Sequence, residues 1–194
     1  MDEKFRFTTE EERKIYNEVT IPKIAGTYSG TCRILGGGSS MWADYEESNK
    51  HFDGTDIICV NMAGMVIPEA THLFSWHKKQ ISAIKEWRLA EWVDCKAIVH
   101  SVDNHERVNV AWHFNGGTSV SGLSCIDLAW LLGYRKIILC GVPMDNKGYF
   151  YKPTDNKEMH DKHRHHEVYK LKSIYGESVK SFSGFTQEVF GSPI

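Results

Sequence analysis

Asn115-Gly-Gly-Thr-Ser-Val-Ser-Gly122 runs directly into an apolar segment, residues 123–132, which is followed by Gly133-Tyr-Arg-Lys136 and then by Ile137-Ile-Leu-Cys-Gly-Val142. A loop of Gly, Ser and Thr that opens a helix is a ready anion site. The first helical N–H groups have no partner inside the helix, the dipole adds positive charge there, and glycines admit a ligand close to the backbone. Gly133 reads as the helix stop, and the unbroken apolar run after it has the character of a strand covered on both faces. Loop, helix, turn and strand in this order make half of a Rossmann-like unit.

The same order occurs earlier. Cys32-Arg-Ile-Leu35 is a short apolar run that ends in Gly36-Gly-Gly-Ser-Ser40, and residues 41–49 read as a helix. Asp56-Ile-Ile-Cys-Val-Asn61 is another buried strand with a polar residue at its carboxyl end, and His72-Leu-Phe-Ser-Trp76 is a third. Lys96-Ala-Ile-Val-His100 and Val108-Asn-Val-Ala-Trp-His-Phe114 add two more. Residues 78–93 set Ile81, Ile84, Leu89, Trp92 and Val93 at helical spacing with Lys and Glu between them, the pattern of a surface helix. The alternation predicts an α/β protein: a Rossmann-like three-layer fold with a mainly parallel central sheet of about five to seven strands. Residues 9–19 predict a polar N-terminal helix ended by Ile21-Pro22, and Asp103-Asn-His-Glu106 predicts a hairpin turn.

Beyond Val142 the chain turns aromatic and turn-rich, then strongly charged and His-rich over residues 156–175, and Ser181-Phe-Ser-Gly-Phe185 precedes a short final helix. No low-complexity linker or repeat divides it. Residues 1–194 are therefore expected to form a single Rossmann-like domain, with about 143–194 as a helical, His-rich C-terminal flap and a return strand beside the sheet.

A chain of 194 residues buries a substantial core without a metal or disulfide framework. Its net charge of −2 gives no global drive toward nucleic acid or an anionic membrane, and no apolar run approaches the ~20 residues of a membrane helix. The five cysteines, at 32, 59, 95, 125 and 140, have no CxxC spacing and read as buried free thiols. With a charged start that lacks signal-peptide character, this points to a cytoplasmic protein and a small-molecule ligand. A homo-oligomer stays open.

Ligands of open α/β sheets bind beyond the carboxyl ends of the strands, near a topological switch point. Four groups fall at such ends: Gly36, Gly37, Gly38, Ser39 and Ser40; Asn61; Gly117, Thr118, Ser119 and Ser121; and Asp145. Asn61 offers a donor and an acceptor to a base or ribose, and Asp145 suits ribose hydroxyls, a sugar or a metal. In His160-Asp-Lys-His-Arg-His-His166, His163 and His166 would share a helix face, and an imidazole titrating near neutrality suits proton transfer. Such a charge-dense run is more often a solvated face, so one histidine is expected at the pocket and the others in water. His72, His77, His100 and His113 are expected in ordinary hydrogen-bonded core or rim roles, and Trp76 and Trp112 in the core. The chain lacks GxGxxG, a P-loop, HExxH, structural-zinc spacing and a DxD pair, so no cofactor is certain and a divalent metal stays open.

Ile34-Leu-Gly-Gly-Gly-Ser-Ser40, Asp56-Ile-Ile-Cys-Val-Asn61 and Gly117-Thr-Ser-Val-Ser-Gly122, with Ala129-Trp-Leu-Leu-Gly-Tyr-Arg-Lys-Ile-Ile-Leu-Cys-Gly141, together resemble the core shared by bacterial lipooligosaccharide sialyltransferases and 6-hydroxymethylpterin pyrophosphokinase-like proteins. Gly148-Tyr-Phe-Tyr151 and Ser183-Gly-Phe-Thr186 are similar to stretches of uncharacterised phage-encoded Rossmann-like proteins. The resemblance covers roughly half the chain. It implies a nucleotide phosphate at residues 36–40, a nucleotide contact from Asn61, and Thr118, Ser119 and Ser121 beneath the same ligand. A nucleotide or nucleotide-sugar ligand is thus expected, in a phage-encoded glycosyltransferase of sialyltransferase-like type acting in the host cytoplasm. There His163 or His166 would serve as acid or base, and Asp145 would position the acceptor. Its rivals are a non-catalytic module that sequesters a nucleotide in phage counter-defence, and a pyrophosphokinase-like enzyme.

Overall fold

A computed structural model describes residues 22–92, 96–102, 107–112, 118–145, 147–152 and 164–194. Among these residues seven strands form one sheet: β1 (Thr31–Leu35), β2 (Asp56–Val60), β3 (His72–Phe74), β4 (Ile98–Ser101), β5 (Val110–Ala111), β6 (Lys136–Cys140) and β7 (Val179–Ser181). Between them lie α1 (Met41–Phe52), α2 (Ala63–Val66), α3 (Lys78–Trp92), α4 (Ser121–Leu132), α5 (His165–Tyr175) and α6 (Gly184–Phe190). Every strand pairing is parallel, in the order β5-β4-β3-β2-β1-β6-β7. This is the α/β, Rossmann-like three-layer fold.

The apolar runs are unbroken because both faces of the sheet are covered. On one face Ile34, Ile58 and Leu139 pack under α4, with Val168 and Leu171 of α5 and Phe190 of α6. On the other, Leu35, Cys59, Ile138 and Cys140 meet Met41 of α1, Ala63 of α2, and Ile81 and Ile84 of α3. The register keeps this alternation: Ile34 stands beside Ile58 on one side and Leu139 on the other. α4 is apolar nearly all round, and its buried residues share one core cluster with the sheet and with Val168, Leu171 and Phe190 of the C-terminal helices. It stops at Gly133, where φ is +119° and an added Cβ would sit 2.1 Å from the Tyr28 carbonyl oxygen, so only glycine fits.

From β1 the chain steps outward to β5, then crosses back through α4 to place β6 on the far side of β1. The direction of winding reverses between β1 and β6, and the loops leaving their carboxyl ends diverge to opposite faces. The return strand expected in the tail is β7, parallel to β6. β4 and β5 run parallel, so these two strands do not pair as a hairpin. Residues 103–106 themselves, like the helix expected over 9–19, lie outside the described residues. No helix among the described residues is long and apolar enough to cross a membrane.

A polar chain crosses the core under α4. The Trp112 indole donates to His100 Nδ1 (2.9 Å), His100 Nε2 meets His72 Nδ1 (3.0 Å), His72 Nε2 meets the Tyr134 hydroxyl (3.2 Å), and that hydroxyl donates to Asp56 (2.7 Å). An indole only donates and a carboxylate only accepts. The direction of every bond is therefore set, and both imidazoles are neutral with the proton on Nε2. Burial pushes both histidine pKa values below their ordinary value.

Candidate functional site

The loops after β1 and β6 pack closely at the switch point. Gly36 N–H donates to Cys140 O and Gly38 N–H to Gly141 O, both at 2.8 Å. A Cβ at Gly36 would lie 2.5 Å from Gly141 O, and one at Gly38 2.4 Å from Pro143 Cδ. Glycine is needed there for one loop to pass over the other. The segment after β6 folds back onto the same turn, with Ser39 N–H donating to Gly148 O (3.0 Å) and Phe150 N–H to Gly37 O (3.0 Å). Three backbone donors that a phosphate cradle over residues 36–40 would use are thus committed within the chain.

Asp44, in the first turn of α1, anchors this junction from below. Its buried carboxylate accepts Gly141 N–H (2.8 Å), Ser183 Oγ–H (2.6 Å) and Ser40 Oγ–H (3.0 Å). Burial raises its pKa despite those bonds. The terminal Ser183-Gly-Phe-Thr186 holds the β6 loop from the other side: Phe185 N–H donates to Pro143 O (2.8 Å) and Thr186 Oγ1–H to Val142 O (2.7 Å).

Between these loops opens a cleft of about 230 Å³. Its walls include Gly36, Gly37 and Gly38 after β1, Asn61 after β2, His77 and Gln80 near the start of α3, and Ser119, Ser121 and Gly122 around the start of α4. Asp145, Tyr149, Tyr151 and Arg164 complete it. The N–H groups of Ser121 and Gly122 open α4 and have no carbonyl within the helix to pair with. Asn61 Oδ1 is buried and has no partner among the described residues, a costly state for an acceptor. Among them the non-glycine residues with positive φ are Asn61 and Met144, both at 52°, and both line the cleft. Arg164, just ahead of α5, has no ion-pair partner among the described residues. The rings of Tyr149 and Tyr151 stack at 5.0 Å and 9°.

Of the residues expected at the site, Gly36, Gly37, Gly38, Asn61, Ser119, Ser121 and Asp145 come together in the cleft. Ser39 and Ser40 do not line it, and the Ser40 hydroxyl is engaged with Asp44 and Ser183. Thr118 is buried behind the wall, bonding Val120 O and Ser124 Oγ (both 3.1 Å). His166 is exposed and outside the lining. Its neighbour His165 stacks on Phe185 at 3.6 Å instead. Gly117 and His163 lie outside the described residues. The sequence reading missed Arg164, Tyr149, Tyr151 and Gln80, and gave His77 only a rim role. The run 160–166 stands out by its imidazoles, although its guanidinium is the stronger partner for an oxyanion. Among the described residues no three His, Cys, Asp or Glu side chains converge to hold a metal ion.

Fold and cleft define a Rossmann-like α/β protein with its pocket at the switch point of an all-parallel sheet. No protein-family model, no curated protein and no solved structure matches the chain.

Proposed function

We propose that the cleft binds a small phosphate ester, a nucleotide or nucleotide-sugar, with the phosphate between Arg164 and the start of α4. The observation that carries this reading is that one cavity holds a guanidinium, Arg164, and a buried acceptor, Asn61 Oδ1, neither of which has a partner among the described residues. The first calls for an anion, the second for a hydroxyl or amino donor on the same molecule. The stacked tyrosines add a flat apolar face for a base or sugar ring. At about 230 Å³ the space is smaller than the ~300–1,000 Å³ of pockets that enclose drug-sized ligands, which favours a mononucleotide over a dinucleotide.

Asp145 is the carboxylate among the lining residues, and its side chain caps the Lys147 N–H at 3.1 Å. In a glycosyl transfer Asp145 and His77 would supply base and acid, while Arg164 would receive the charge that develops on the departing phosphate. A module that only sequesters its nucleotide would use the same contacts without turnover. Calorimetric titration of the protein with nucleoside mono- and diphosphates and sugar nucleotides, followed by phosphorus NMR of the mixtures, tests both. Binding with release of nucleoside phosphate supports transfer, and binding with intact recovery supports sequestration. Absence of binding across the whole panel overturns the reading.

A further inference from the structure

α5 brings two side chains of opposite charge to one mouth of the cleft. Arg164, just ahead of its first turn, lines the cavity, while Glu167 within that turn reaches Ser119, another lining residue. Glu167 Oε2 accepts the backbone N–H of Ser119 at 3.0 Å, and Oε1 accepts the Ser119 hydroxyl proton at 2.6 Å. Ser119 lies two residues ahead of the twelve-residue α4 and lines the cleft. A backbone N–H and a hydroxyl beside a helix N-terminus are the donors a phosphate would take, and a carboxylate of the protein already holds them.

We propose that Glu167 is a built-in competitor for the ligand's anionic group, holding Ser119 until a phosphate drawn in by Arg164 displaces it. This rests on the reading above that the cleft takes a phosphate. Two anions cannot share the same pair of donors, so the Glu167–Ser119 contact and a phosphate on Ser119 exclude each other. Displacement is easy because the contact is exposed: the released carboxylate is hydrated at once. It also requires little motion, because Val168 and Leu171 keep α5 anchored in the core while one side chain changes rotamer. The phosphate then gains Arg164 in addition to what Glu167 had. In the free protein the latched form lowers apparent affinity by the fraction of molecules that remain open.

The test is calorimetric titration of the full chain with AMP and, separately, pyrophosphate, comparing the unaltered protein with Glu167→Gln, Glu167→Ala and Arg164→Ala. Competition predicts that both Glu167 variants bind about five- to tenfold more tightly, while Arg164→Ala binds more weakly. Unchanged or weaker binding by both Glu167 variants, with Arg164→Ala still impaired, overturns the latch and leaves the phosphate reading standing. A fall in melting temperature without a gain in affinity would assign Glu167 to tethering α5 and equally overturn the latch. If no form binds either probe, the latch falls, and the phosphate reading falls with it when the nucleoside diphosphates and sugar nucleotides also fail to bind.

Discussion

Under α4, a hydrogen-bond chain passes from Trp112 through His100, His72 and Tyr134 to Asp56, and each ring nitrogen and hydroxyl in it has a partner. At the carboxyl edge of the same sheet, among the described residues, Asn61 Oδ1 has no hydrogen-bond partner and the Arg164 guanidinium no ion-pair partner. Both regions are rich in aromatic and titratable side chains, so composition does not separate them. Satisfaction does. A closed network stabilises one arrangement of the core, whereas an open one is costly in the free protein and is completed by whatever enters. The backbone follows the same division, because both non-glycine positive-φ residues, Asn61 and Met144, line the cleft.

The largest expected effect comes from breaking the closed network. Tyr134→Phe removes the donor to Asp56 and the acceptor for His72 Nε2–H, leaving a buried N–H unpaired. Stability should fall by about 2–3 kcal/mol, read as a lower urea midpoint at unchanged slope. Nucleotide affinity should stay the same. A parallel loss of affinity would mean that the two regions are coupled, and the contrast between them would fail.

Arg164→Ala should do the reverse. Loss of charged hydrogen bonds worth about 1.5–3 kcal/mol corresponds to a roughly 10- to 150-fold weaker nucleotide complex, with stability within about 0.5 kcal/mol of the unaltered protein. A destabilised variant with normal affinity would move Arg164 from the open network to the closed one.

Acid should expose the closed network next. His72 and His100 are held neutral by burial, with folded-state pKa values lowered from the usual histidine range. Above about pH 7.5 neither the folded nor the unfolded state protonates them appreciably, and they add no pH dependence. As the pH falls from about 6.5 toward 5, the unfolded chain takes up protons that the folded chain refuses, so stability drops with a slope of up to about 1.4 kcal/mol per unit for each histidine. The carboxyls of Asp44, buried, and Asp127, half-buried, shift the opposite way, and their protonation favours the folded state at lower pH. His100→Gln should make the descent shallower in urea titrations at stepped pH. An unchanged slope would show that these histidines do not control it.

The layers and most strands were legible because apolar runs bounded by Gly and polar residues depend on local sequence alone, as in Asp56-Ile-Ile-Cys-Val-Asn61. The ordinary core role expected for His72 and His100 also followed from their place in such runs. What was not legible depends on contacts between distant segments. Gly36 and Gly38 look like a phosphate loop in sequence, yet they are required by Gly141 and Pro143, about a hundred residues later. Asp103-Asn-His-Glu106 has hairpin composition, but how β4 pairs with β5 is not written in it, and that pairing is parallel. Arg164 was hidden among histidines. Its part depends on α5 lying beside the cleft, which no local sequence signal specifies.

The smallest effect separates the two regions most sharply, because it predicts opposite signs for stability and binding. Asn61 sits at φ 52°, a conformation that costs a non-glycine residue about 1 kcal/mol, less for Asn than for most, and its Oδ1 is a buried acceptor without a partner among the described residues. Asn61→Gly keeps the backbone conformation, relieves the residual strain and deletes the orphan oxygen. The greater freedom of glycine in the unfolded chain offsets part of that gain, so stability should stay level or rise by less than about 1 kcal/mol. The ligand meanwhile loses a hydrogen bond worth about 1 kcal/mol, and affinity for the nucleotide should fall about fivefold. Urea unfolding and calorimetric titration of the same preparation read the two signs together. If stability drops, Asn61 belongs with the closed network, its carbonyl oxygen supporting the fold through a contact the free protein already makes. If affinity is unchanged, the acceptor is not completed by the ligand, and Arg164 alone must account for recognition.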